Sequence, residues 1–152
     1  MNTKAKRRII IFSILTAFML AFIWGNSVLD RGSSGHLSTY ITEIIKKLFD
    51  SKDKLDFDTV HAFVRKTAHF LEFFTLGLMF SLLKNNIEDA AGKSFAFLPP
   101  FAALFSAVTD EYIQYFTGRG SAVSDIVLDF AGSLAAILLV FAFSPKKDKN
   151  KR

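Results

Sequence analysis

Apolar and polar residues fall in separate blocks along this chain. Residues 9–24 carry no charge. Extended to Val28, this block reaches the ~20 residues that a membrane-spanning helix needs. Trp24 lies near its far end, where an amphipathic ring suits a membrane–water interface. "DRGSSG", residues 30–35, reads as a turn. In "HLSTYITEIIKKLF", Leu37, Tyr40, Ile41, Ile44, Ile45, Leu48 and Phe49 share one helical face, while Ser38, Glu43, Lys46 and Lys47 fall elsewhere. That pattern predicts an amphipathic helix, too polar to span, lying on the membrane surface or over the other helices. A charged loop, "DSKDKLDFD", follows, in which Asp56 or Asp58 is placed to cap the next helix. Three further apolar runs occupy residues 67–83, 95–113 and 123–143. They are separated by a short polar segment at 84–93 and a tight glycine-bearing connection at 117–124. Pro99 and Pro100 are tolerated only in a first helical turn, so the third run becomes helical at Leu98 or Pro99.

The predicted fold is an all-α membrane protein: four transmembrane helices with both termini cytoplasmic, plus an outer amphipathic interfacial helix. Residues 1–144 form one domain and residues 145–152 a basic cytoplasmic tail. Composition agrees, with 51% hydrophobic residues and 18 Phe among 152, more than a water-soluble domain of this size normally carries. A basic start before an apolar core also describes a signal peptide, but three later apolar runs make a first spanning helix the simpler account. The net charge of +5 gathers at the ends: Lys4, Lys6, Arg7 and Arg8, then Lys146, Lys147, Lys149, Lys151 and Arg152. That placement reads as positive-inside topology and not as a nucleic-acid groove, so no nucleic-acid partner is expected. There is no cysteine, which excludes disulfides and thiolate metal sites.

Under this topology, three segments bring polar residues to the outer leaflet. The second span opens with Arg65, Lys66, His69 and Glu72. The third closes with Asp110, Glu111 and Gln114. Arg119 sits in the connection, and the fourth span opens with Asp125 and Asp129. His69 and Glu72 are i, i+3; Asp110 and Gln114, and Asp125 and Asp129, are i, i+4, so each pair shares a face. Asp129 lies about 9 Å into its helix at about 1.5 Å per residue. An ionised carboxylate facing lipid there costs about 2.5–3.5 kcal/mol on insertion scales. Five carboxylates against Arg65, Lys66 and Arg119 leave two negative charges uncompensated. Protonated acids, a charged His69 or a divalent cation would balance them. One imidazole with several carboxylates suits Zn²⁺ or Mn²⁺, and a carboxylate-rich shell suits Mg²⁺ or Ca²⁺. The metal candidates are His69, Glu72, Asp110, Asp125 and Asp129. His69, Glu72, Asp110 and Glu111 are the acid–base or catalytic candidates, and Arg65, Lys66, Gln114 and Arg119 the ligand-binding ones. Gly77, Gly118, Gly120, Gly132, Ser133 and Ala136 are small enough for close helix approach. His36 and His61 read as ordinary loop or interface histidines.

"RKTAHFLEFFTLGLMF" followed by "SAVTDEYIQYFTGRGSAVSDIVLDFAGSLAA" resembles the VanZ-like family. The shared pattern is a basic pair with His and Glu on one helix, then D-E-x-x-Q-x-F-x-x-G-R, then D-x-x-x-D-x-x-G. It falls here on Arg65, Lys66, His69 and Glu72, on Asp110, Glu111, Gln114, Phe116, Gly118 and Arg119, and on Asp125, Asp129 and Gly132. The resemblance implies a small bacterial membrane protein, and its name-giving member is associated with low-level resistance to teicoplanin, a glycopeptide acting outside the membrane. Some members carry a phosphotransbutyrylase label, but nothing in these residues supports a soluble acyl-CoA enzyme. Three functions stay open: a pocket for a membrane lipid, a lipid-linked cell-wall precursor or a glycopeptide; a membrane-embedded, metal-dependent hydrolase or transferase; and a packing network that fixes the helices.

Overall fold

The computed structural model describes residues 3–28, 31–50, 54–118 and 120–144. Within them the chain forms five helices: α1 (Thr3–Val28), α2 (Arg31–Phe49), α3 (Phe57–Ala91), α4 (Leu98–Phe116) and α5 (Val123–Phe143). No strand occurs among the described residues.

Helix boundaries follow local chemistry. Asp56 caps α3, its carboxylate accepting from Thr59 N at 3.1 Å. This ties down the first-turn amides that have no partner inside the helix. α3 ends at Gly92, whose φ of 67° is left-handed and whose N–H donates to Glu88 O, a conformation that costs glycine little. The prolines of α4 fall in its first turn.

Three expectations need correcting. The expected turn at 30–35 lies largely inside α2, which starts at Arg31. The expected polar loop at 84–93 is mostly helix. No Gly or Pro interrupts it before Gly92, and Lys84 and Glu88 pair at 3.0 Å across one turn, a spacing that supports helix. The third apolar run becomes helical at Leu98 as expected, but its helix continues past the expected end at Ile113 to Phe116. In addition, among the described residues two helices, α1 and α5, are long and apolar enough to cross a membrane, not four. α3 carries Arg65, Lys66, His69 and Glu72, and α4 carries Asp110 and Glu111, which dilute their hydropathy.

α3 runs parallel to α5, with Lys66 meeting Asp125, Ser133 Oγ donating to Phe73 O at 2.8 Å, and Asn85 donating to Ser144 at 3.5 Å. α1 runs parallel to α4: Trp24 Nε1 donates to Ser106 O at 3.5 Å and Ser27 to Asp110. α3 and α4 touch each other as well as both apolar helices, so the polar pair lies inside and α1 and α5 flank it. The α3–α5 seam is tight. A Cβ at Gly77 would lie 2.4 Å from Ser133 O, and one at Gly132 would lie 2.5 Å from Phe70 O. Only glycine permits that approach.

The faces of α4 and α5 are inverted relative to a water-soluble helix. α4 buries Ala103, Ser106, Ala107, Asp110, Glu111 and Gln114 and exposes Phe101, Phe105, Val108, Tyr112 and Tyr115. α5 buries Asp129, Gly132, Ser133 and Ala136 and exposes Val127, Leu138, Leu139 and Phe141. α2 packs against α3 with Thr42 fully buried while Tyr40, Ile41, Ile44 and Leu48 stay exposed. Among the described residues of the α2 stripe, Tyr40, Ile41, Ile44 and Leu48 thus face away from the protein and Ile45 is half-buried.

Candidate functional site

One end of the bundle gathers the C-terminal ends of α1 and α4 and the N-terminal parts of α3 and α5. A cavity of about 160 Å³ opens there. Ala62, Arg65, Lys66 and His69 line it from α3, Gln114 from α4, Gly120 from the connection, and Asp125, Leu128 and Asp129 from α5. The glycine seam sits just below, at Gly132 and Gly77, and sets the helix spacing that lets His69 approach Asp129.

Asp110 is fixed from two sides. Ser27 Oγ of α1 donates to its Oδ1 at 2.6 Å and Gln114 Nε2 donates to its Oδ2 at 2.7 Å. All three residues are buried. A carboxylate held by donors on both oxygens is fixed in orientation. Glu111 Oε1 accepts from the N–H of Ala122, which anchors the start of α5 to α4, while its Oε2 is buried with no hydrogen-bond partner.

Asp129 is different. It is 1% exposed, and neither carboxylate oxygen accepts a hydrogen bond. His69 Nδ1 stands 3.9 Å from Oδ1, beyond hydrogen-bond reach. Asp110, Glu111, Asp125 and Glu72 all add negative charge around it. An isolated buried charge of this kind costs several kcal/mol unless something compensates it. One potential ligand atom from each of His69, Asp110 and Asp129 lies within 4.8 Å of the other two.

The other candidates fall in different places. Asp125, half-buried, pairs with exposed Lys66 at 3.2 Å, a solvent-accessible geometry that contributes little stability. Glu72 is half-buried, acts on Asp129 through charge, and lies outside both the cavity lining and the three-donor group. Arg119 lies outside the described residues. Of the five metal candidates, the structure therefore brings together three. His61, read as ordinary, stacks on Phe57 with ring centroids 5.9 Å apart.

Sequence reasoning missed Ser27 and the Ala122 amide. Ser27 had a signal: "GNS" breaks an otherwise apolar run at the end of α1. A backbone amide has none.

These features describe a small all-helical protein with a buried acid–imidazole cluster at one end of an inverted helix bundle. The chain belongs to the VanZ/LLP1 family, whose model matches residues 9–144. Among curated proteins and solved structures, none matches the chain. Together with the two apolar helices, the family points to a membrane protein.

Proposed function

We propose that this VanZ-like protein crosses the membrane four times, through α1, α3, α4 and α5, with both termini cytoplasmic and the polar cavity facing outward. Inverted burial on α4 and α5 supports this, because lipid accepts exposed aromatic and aliphatic faces that water does not. The basic terminal runs set the orientation. The exposed apolar stripe of α2 then rests in the outer interface.

In that setting the pocket binds the anionic headgroup of a membrane lipid or lipid-linked cell-wall precursor, or else a glycopeptide. The reading includes a link to glycopeptide (teicoplanin) resistance, as the family resemblance implies. One observation carries it. Arg65 and Lys66 line a cavity that reaches from the surface to buried Asp129, and such cations suit phosphate oxygens. The test is binding in nanodiscs, in EDTA, to polyprenyl phosphate, polyprenyl pyrophosphate, phosphatidylglycerol and teicoplanin. Arg65→Ala and Arg119→Ala should each weaken one of these about tenfold, the loss of roughly one charge-assisted hydrogen bond. Equal binding by wild type and both variants across the panel rejects the pocket.

A second reading is a membrane-embedded hydrolase or transferase acting on a lipid-linked substrate. The grouping of His69, Asp110 and Asp129 favours it, since such a set can position a Lewis acid or move a proton.

A further inference from the structure

We infer that His69, Asp110 and Asp129 form a site for one divalent transition-metal ion of the Zn²⁺ or Mn²⁺ class. This deepens the pocket reading above and rests on it for the ion's role, though not for its binding.

Two independent observations meet here. The first is convergence: three donors from α3, α4 and α5 lie within 4.8 Å of one another. Metal–ligand bonds of ~2.0–2.2 Å would need these donors to draw in by about 1 Å, within reach of side-chain rotation. The second is Asp129 itself, 1% exposed with both oxygens lacking a hydrogen bond. Buried carboxylates are normally satisfied by donors. Among the described residues, four further carboxylates, Asp110, Glu111, Asp125 and Glu72, act on it through charge. Two described cations, Arg65 and Lys66, line the cavity, and Lys66 is engaged with Asp125. A cation between Asp129, Asp110 and His69 would satisfy both oxygens and offset the surplus charge.

The donor set selects the ion. Imidazole with two carboxylates suits Zn²⁺ or Mn²⁺. Ca²⁺ asks for six to eight oxygens, and Mg²⁺ keeps most of its waters in near-octahedral geometry. Three donors leave a coordination position open toward the cavity, where Arg65 would meet an anionic ligand. The Ser27 and Gln114 hydrogen bonds hold Asp110 as outer-shell partners hold metal ligands.

Tag-free protein, purified in mild detergent without chelator, would be analysed for bound metals by mass spectrometry. His69→Ala and Asp129→Asn would be run beside it, each checked for helical circular dichroism. EDTA-stripped wild type and both variants would then be titrated with Zn²⁺, Mn²⁺, Mg²⁺ and Ca²⁺ while Tm is followed. About one Zn²⁺ or Mn²⁺ per chain, lost in both folded variants, and a Tm rise on add-back only in wild type, is the expected result. Any of three results overturns the inference: no ion with no Tm response; an ion retained in both variants; or a response to Mg²⁺ and Ca²⁺ alone. If a variant fails to fold, the wild-type add-back decides. Headgroup binding is measured in EDTA, so either reading can fail while the other stands.

Discussion

The two ends of the bundle treat polar residues in opposite ways. At the end away from the site, a wider cavity of about 530 Å³ is also lined by acids, an amide and a lysine. There the charges satisfy one another. Lys84 pairs with Glu88 at 3.0 Å, and Glu88 also accepts from Phe95 N and Ser94 Oγ. Asn85 reaches Ser144. At the site end the charges are deeper and unevenly satisfied: Asp110 is held by two donors, whereas Asp129 accepts no hydrogen bond. Charge near a helix end is therefore weak evidence for chemistry, because loop closure uses it too. A buried acid without a donor is stronger evidence, since folding alone would not favour it.

The largest expected effect comes from opening the seam beneath the site. A side chain at Gly132 meets the backbone of Phe70 at 2.5 Å, and backbone cannot turn aside as a side chain can. Gly132→Val should cost about 3 kcal/mol, at the upper end for overpacking. It should also separate His69 from Asp129. Thermal unfolding in detergent and cross-linking of a cysteine pair at positions 69 and 129 would read both. A Tm within 2 °C of wild type, roughly the shift from a small perturbation, with cross-linking unchanged, would mean the helices are spaced by something else.

A smaller effect is expected at Ser27. Ser27→Ala removes one of two donors to buried Asp110 and should cost about 1–3 kcal/mol. If Asp110 is a metal ligand, affinity should also fall about 10- to 100-fold, as for outer-shell partners. The paired quantities separate the two uses of charge. A stability loss with unchanged metal affinity would place Asp110 with Glu88 as a structural acid.

Much of this arrangement was legible in the residues. Hydrophobic blocks and the turn chemistry around Pro99 gave α1, α4 and α5 to within a few residues, apart from the extension of α1 into the basic start and of α4 to Phe116. Helical spacing put Asp110 with Gln114 and Asp125 with Asp129 on shared faces. The length of α3 was not legible, because a hydropathy drop at Lys84 looks the same for a loop as for an exposed helical extension. Nor was the division of labour among the acids. Spacing cannot show that Asp125 turns to Lys66, that Glu111 takes the Ala122 amide, or that Asp129 accepts nothing. Those outcomes depend on helix packing at Gly77 and Gly132, a long-range property.

The smallest effect lies at the opposite end and should be confined to it. Glu88 sits beyond the apolar stretch of α3. Partial burial pushes its carboxyl up, but the Phe95 N–H, the Lys84 ammonium and the Ser94 hydroxyl together hold it below the ordinary value of 4.5. A depressed carboxyl contributes stability that is fully present above its unfolded pKa and is lost as pH falls through the folded one. The turn joining α3 to α4 should therefore be protected at pH 6–7 and loosen below about pH 4, near the carboxylate range. Glu88→Gln should abolish that pH dependence and cost about 1 kcal/mol or less, because the pair is partly solvated. Hydrogen exchange at the Phe95 amide would read it directly, with Ser27 and Asp110 as an internal reference at the far end. If acid opens the site end first and leaves Phe95 protected, the contrast between a self-satisfied end and an unevenly satisfied end loses its basis.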